Sequence, residues 1–201
     1  MNQFCVGTLL VILMSSAVLS DERYRNTQYG IELTATNGWR VIESAKLRVP
    51  LKQLSDDQLT ELLKAYDDGR IVTVKRDFGD SVAMVEVRLH EYQSASGRSA
   101  LDIARTCEKS FQANKFRITV ASHVTPICGK EAGTFCVVRS SGSNSAPDTE
   151  LTFYYIPRSR TFVELKVVVP QNANETLRKD VMSMLKSISI DVNADQMVFK
   201  D

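Results

Sequence analysis

The chain has 201 residues, with 25 Lys plus Arg against 24 Asp plus Glu, and 43% of its residues are hydrophobic. A formal net charge of +1 provides no field of one sign for gripping phosphate backbones, which argues against a dedicated nucleic-acid binder. The charged fraction of 24% is that of an ordinary globular protein and excludes wholesale disorder, while the length suffices for one proper core.

Phe4 to Leu19 carries no charge, and Leu9, Leu10, Val11, Ile12, Leu13 and Met14 form a continuous apolar run. Small residues follow at Ser15, Ser16 and Ala17, and charge begins at Asp21 and Glu22. This is the layout of a secretory signal peptide over residues 1–20, since a spanning helix wants about 20 apolar residues. Val18 and Ser20 stand at the −3 and −1 positions of a cut before Asp21. No Lys or Arg precedes the apolar run, so a retained anchor and a buried N-terminal helix are the competing readings. Cys5 lies on the wrong side of the run for lipid modification at a cleavage point. The expected organisation is a signal peptide at 1–20 and one globular domain at 21–201. The product would be periplasmic or secreted, with no stable membrane insertion after cleavage near Ser20.

Tyr29 to Thr34 alternates apolar and polar residues, Asn37-Gly38 supplies a turn, and Trp39 to Ile42 resumes extended structure, which predicts a hairpin. Ser55 with Gln58 makes a capping-box pattern, and Leu59, Leu62, Leu63 and Tyr66 follow at helical spacing as far as Gly69. Strands are predicted at Ile71–Arg76 and Val82–Tyr92. Ser99 caps a second helix whose apolar stripe is Ile103, Ala104, Cys107 and Phe111. Phe116–Val124 and Thr134–Ser140 read as paired strands. Between them Cys128 and Cys136 flank a turn-rich segment and could face each other across a hairpin. A bridge there would contribute about 2–3 kcal/mol in the chain-entropy view. Cys107 is the odd cysteine, a buried thiol on the bland reading, and its pairing with Cys128 or Cys136 is the rival. Ser140–Asp148 is a polar loop. Leu151–Ile156 and Thr161–Val169 form another hairpin around Pro157 to Arg160. Leu177, Val181, Met184, Leu185 and Ile188 mark a third helix capped near Asn174, followed by extended Ile188-Ser189-Ile190. Strands outnumber helices and most are joined by hairpins, so the fold class is α+β, an antiparallel sheet covered by helices.

Tyr29-Gly30-Ile31-Glu32-Leu33, followed by Gly38-Trp39, resembles the opening "Tyr-Gly-Phe-x-x … Gly-Trp" of PsbP-like domains. Phe162–Val169 leading into Leu177 … Met184-Leu185-Lys186-Ser187-Ile188 is similar to their closing strand, helix and "Leu-x-Ser-Ile/Phe" ending. The likeness spans about residues 24 to 190 and implies an α/β/α sandwich. That family includes photosystem extrinsic subunits, small adaptors and exported bacterial proteins, most of them binding or assembly modules. Fold alone does not carry function.

The residues that could carry chemistry form no known constellation. His90 and His123 lie on predicted strands, on the polar side of the alternation, and would make a polar site together only if those strands were neighbours. A metal would need a further ligand, with Glu86 or Glu91 nearest in the chain. No His-Glu-x-x-His, Cys-x-x-Cys, acidic calcium loop, phosphate loop or Gly-x-Ser-x-Gly elbow is present, so no catalytic residue, metal or cofactor is assigned. Ser140, Ser141 and Ser143 sit in a loop. Asp56-Asp57 complements the start of the first helix, and Asp67-Asp68 near its end reads as solvated. Arg158 and Arg160 crowd a hairpin tip that reads as a solvated edge. Asn174-Glu175-Thr176 is a glycosylation sequon.

The leading expectation is an exported, soluble, non-catalytic binding or assembly protein whose partner is another envelope or secreted protein. One rival is a small hydrolase or transferase built on Cys107, His90 or His123 and a carboxylate. A third reading is a small-ligand carrier with a cleft lined by Tyr92, Phe111, Tyr154 and Tyr155.

Overall fold

The computed structural model describes residues 21–44, 51–65, 69–79, 81–92, 98–141 and 147–196. Residues 1–20, Asp67-Asp68 and Ser143 lie outside them. In chain order the strands are β1 Glu22–Asn26, β2 Ile31–Ala35, β3 Arg40–Ser44, β4 Arg70–Phe78, β5 Ser81–Glu91, β6 Arg117–Ile127, β7 Lys130–Arg139, β8 Thr149–Pro157, β9 Thr161–Pro170 and β10 Ser189–Ile190. The helices are α1 Asp56–Ala65 between β3 and β4, α2 Ala100–Ala113 between β5 and β6, and α3 Glu175–Lys186 between β9 and β10.

The helix starts follow their caps. Ser55 accepts from the Gln58 amide, while the Gln58 side chain accepts from the Ser55 amide at 3.0 Å, which completes the capping box. Ser99 and Asn174 cap α2 and α3 by accepting from the amides of Asp102 and Leu177.

Among the described residues the strands form two antiparallel sheets: a small one ordered β1-β2-β10 and a large one ordered β3-β4-β5-β9-β8-β7-β6. Asn37 and Gly38 turn with positive φ as their sequence demands. The turn, however, hands the chain from one sheet to the other, because β2 pairs with β1 and β10 whereas β3 pairs with β4. The hairpin expected there is therefore a crossover between sheets. The β6–β7 and β8–β9 hairpins form as the alternation predicts, and β4 and β5, predicted as strands, pair as a hairpin as well.

The large sheet presents alternate residues to two faces, which are covered differently. On one face Val72, Val74, Val85, Val87, Val163, Leu165 and Val167 join Tyr29, Ile31, Leu33 and Trp39 of the first segments, Leu59 of α1, and Leu177, Val181, Met184 and Leu185 of α3 in the main core. On the other face α2 lays Ile103 and Ala104 over Phe135, Val137, Phe153 and Tyr155. The result is helix, sheet, then a mixed layer of small sheet and helices. The α+β class, an antiparallel sheet covered by helices, is the one expected from the residues, and the layering is the sandwich that the resemblance implied.

The seating of α2 depends on one missing side chain. A Cβ on Gly133 would stand 1.9 Å from the Ala100 carbonyl oxygen and 2.9 Å from the Ala104 Cβ, so only glycine lets β7 meet the helix backbone. Gly133→Ala is expected to destabilise the protein by about 3 kcal/mol. Gly129→Ala serves as the comparison. That position has φ +67 with nothing within 4 Å, so it carries only the left-handed backbone cost of about 1 kcal/mol. Urea midpoints of the two variants test the ordering.

Candidate functional site

The face under α2 changes character beyond β8. Across β5 and β9, Glu86 stands opposite Lys166, Arg88 opposite Glu164 and His90 opposite Phe162. Glu86 and Glu164 are buried, at 5% and 9% exposure. Charges that far from water persist only when paired. The Arg88 guanidinium lies 2.6 Å from Glu86 and 3.9 Å from Glu164, and the Lys166 ammonium lies 3.2 Å from Glu86. His90 Nε2 lies 3.4 Å from Glu164, and its ring stacks on Phe162 at 5.0 Å. Two carboxylates and two cations thus cancel within the cluster.

Cys107 faces the aromatic end of this surface. Its sulfur is hydrogen-bonded to the Tyr155 hydroxyl, and burial pushes the thiol above its usual range. Burial, with Glu164 and Cys107 nearby, holds the Tyr155 hydroxyl well above its own range. A nucleophilic cysteine requires the reverse, a thiol drawn down toward thiolate. The Cys107–imidazole–carboxylate site considered from the sequence therefore lacks its activated member.

On the opposite face, at the β6 edge, a groove of about 220 Å³ opens between β6, β7, β8 and α3, lined in part by Val120, His123, Thr134, Cys136, Tyr154 and Met182. His123 stands opposite Thr134, and Cys136 opposite both Val120 and Thr152. His123 Nδ1 lies 3.0 Å from the Ala121 carbonyl oxygen. A carbonyl only accepts, so Nδ1 is the nitrogen that donates here, and the tautomer that this contact selects has its lone pair on Nε2. Cys136 is 7% exposed, and the Thr152 hydroxyl donates to its sulfur at 3.6 Å. The Glu150 carboxylate at the groove wall is already held by Arg178 at 3.1 Å.

Several sequence expectations are corrected here. All three described cysteines are free. Cys128 sits with Gly129 in the two-residue tip of the β6–β7 hairpin, where Ile127 pairs with Lys130. Cys136 lies six residues up β7, about 20 Å along the strand, whereas a disulfide needs Cα atoms within about 7 Å. The Cys128 thiol instead donates to the Leu185 carbonyl at 3.2 Å and is pushed up to about 12 by burial. His90 and His123 do not meet: β5 and β6 are separated by β9, β8 and β7, about 19 Å of sheet, and the two rings project from opposite faces.

The expected cleft is likewise divided. Phe111 packs against Phe153 at 4.8 Å and Phe135 at 5.5 Å, Tyr155 continues that stack, and Tyr92 leans on Phe162 at 5.7 Å. Those three belong to a filled aromatic layer, while Tyr154 lies on the groove side of the sheet. Arg158 is not solvated: it is 6% exposed, faces the Gly30 carbonyl at 3.4 Å, and burial lowers it to about 10 despite Asp195 and Asp191. Arg160 lies 2.7 Å from Asp56. Asn174 is exposed and caps α3 through its side-chain oxygen.

Sequence reasoning missed two residues. Asp195, fully buried, accepts from the amides of Ser159, Arg160 and Thr161 and from the Thr161 hydroxyl, which locks the β8–β9 tip. Met182 lies off the buried stripe of α3 and is 42% exposed at the groove, and an apolar residue off the stripe was its legible signal.

No family description and no curated protein matches the chain. Among solved structures it is similar to the solution structure of cyanobacterial PsbP (CyanoP) from Synechocystis sp. PCC 6803. The TM-score is 0.55 at 13% identity, covering 88% of this chain and 96% of that one. The fold is PsbP-like. A crystal structure from Bacteroides thetaiotaomicron aligns at TM-score 0.49 and 7% identity, over 84% of this chain and 48% of that one. Among the described residues no helix is long and apolar enough to cross a membrane.

The PsbP-like core makes a pH prediction. Cys128 rises from 9.0 unfolded to about 12 folded, so its contribution is complete below pH 9 and is lost as pH climbs toward 12. Between pH 9 and 10 this thiol alone should remove about 1 kcal/mol. That window lies below the Arg158 value, where the opposite sign sets in. Urea unfolding at pH 8, 9 and 10 should show the decline, and Cys128→Ala should make it shallower, leaving the part due to Cys107, which burial also raises.

Proposed function

We propose that this protein is an exported, non-catalytic binding or assembly module, with residues 21–201 forming one globular domain once residues 1–20 are removed. Its partner is another envelope or secreted protein. The observation that carries this reading is the edge strand β6, where Val120 and Val124 are 46% and 42% exposed on the two faces of one strand. Isolated apolar side chains are ordinary, but two on one sheet edge, with exposed Met182 beside Val120 on the groove face, make that edge suited to contact. Backbone pairing along that edge is discouraged, because the β6 register shifts on either side of Val120 and Pro126 donates no hydrogen bond. The partner therefore rests on side chains. The PsbP-like fold supports the reading, as does a Cys107 thiol held in its protonated, unreactive form.

Co-purification from the native host, with and without crosslinking, tests it. One protein should be enriched by the wild-type chain and lost with Val120→Asp/Val124→Asp, whose folded stability should change by less than about 0.5 kcal/mol per site. If no protein is enriched under either condition, the reading fails.

A further inference from the structure

We propose that the β6–β7–α3 groove is a soft-metal site that takes one Cu(I) ion on the sulfur of Cys136, the Nε2 of His123 and the thioether of Met182. The proposal is independent of the docking reading, since it concerns the isolated chain. All three side chains line the same groove. His123 and Cys136 are diagonal neighbours across the β6–β7 ladder, one pair apart in register, which places their Cα atoms about 7–8 Å from each other with both side chains on the groove face. Met182 reaches the groove from α3 on an unbranched, flexible side chain.

The donor set selects the metal. A thiolate, an imidazole and a thioether are the ligands that favour Cu(I), which is content with two or three of them. Zinc wants four nitrogen, sulfur or oxygen donors, and among the described residues no group of three His, Cys, Asp or Glu side chains is placed to hold a metal ion. The nearby carboxylate of Glu150 is held by Arg178.

Two supporting contacts already have the form that metal ligands receive from their surroundings. The Ala121 carbonyl fixes the His123 ring with its proton on Nδ1, which leaves Nε2 as the donor. The Thr152 hydroxyl donates to the Cys136 sulfur, an arrangement that supports a thiolate once a metal replaces the proton. Binding forms the Cu–S bond and releases the Cys136 thiol proton to solvent, so the charge of the site is unchanged.

The test is anaerobic titration of the reduced full chain with Cu(I) in competition with bicinchoninate. One Cu(I) per chain should be retained, with sulfur-to-copper charge-transfer absorption. Cys136→Ser should weaken binding at least about 100-fold, and His123→Gln and Met182→Leu about tenfold each. Cys128→Ala should leave it unchanged. His123 and Met182 are exposed, so those variants keep the test decisive should Cys136→Ser fail to fold. Three results would overturn the proposal: no copper retained against the chelator, affinity indifferent to both His123→Gln and Met182→Leu, or binding lost with Cys128→Ala. Displacement of Cu(I) by equimolar Zn(II) would overturn it as well.

Discussion

A seven-stranded sheet is too wide for the helix that covers its second face. Seven strands at about 4.8 Å spacing span about 29 Å, while a helix with its side chains covers about 10 Å. The helix α2 packs on β6, β7 and β8, where Phe135, Phe153 and Tyr155 meet Ile103, Ala104 and Phe111. Over β9 and β5 that covering ends, yet Glu86 and Glu164 are still largely removed from water. The sheet resolves the mismatch by pairing its own charges across the strands, with Arg88 and Lys166 neutralising the two carboxylates. An apolar continuation would have left a large sticky surface, and unpaired charge would have carried a heavy desolvation cost.

This division determines where a binding site can form. The face under α2 is consumed by aromatic packing and by the balanced charge cluster, including His90 and Cys107. The opposite face is filled by the main core over β4, β5 and β9. At β6, β7 and β8 that second layer thins, and α3 stands beside the strands, so a groove remains between Met182 and the ladder that carries His123 and Cys136. The groove is thus a consequence of sheet width and helix placement, and its chemistry is set by which residues the alternation turns toward it.

Much of the architecture was legible because alternation and capping are local signals. Ser55, Ser99 and Asn174 cap the helices they were expected to cap, and the β6–β7 and β8–β9 hairpins pair as their patterns require. The first turn misled because Asn37-Gly38 determines only a local reversal, and whether the two segments pair depends on partners such as β10 that lie far away in sequence. The cysteine pairing misled for a related reason. Strand β7 begins at Lys130, four residues before the expected start at Thr134, which shrinks the turn to Cys128-Gly129 and leaves Cys136 deep in the strand. The separation of His90 from His123, and the burial of Arg158 beneath Asp195, follow from strand order and from the C-terminal tail, neither of which any short window of sequence contains.

The central claim is that the polar half of the α2 face is a self-neutralised cluster, in which Glu86 and Glu164 are held by Arg88 and Lys166. A double-mutant cycle on Glu86→Gln and Lys166→Met, read from urea unfolding at neutral pH, tests it most directly. The account predicts that each single change destabilises the protein and that the pair couples by more than about 1 kcal/mol, because removing both partners leaves less unbalanced charge than removing either. Additivity within about 0.5 kcal/mol would contradict it, since the two charges would then be stabilised by something other than each other.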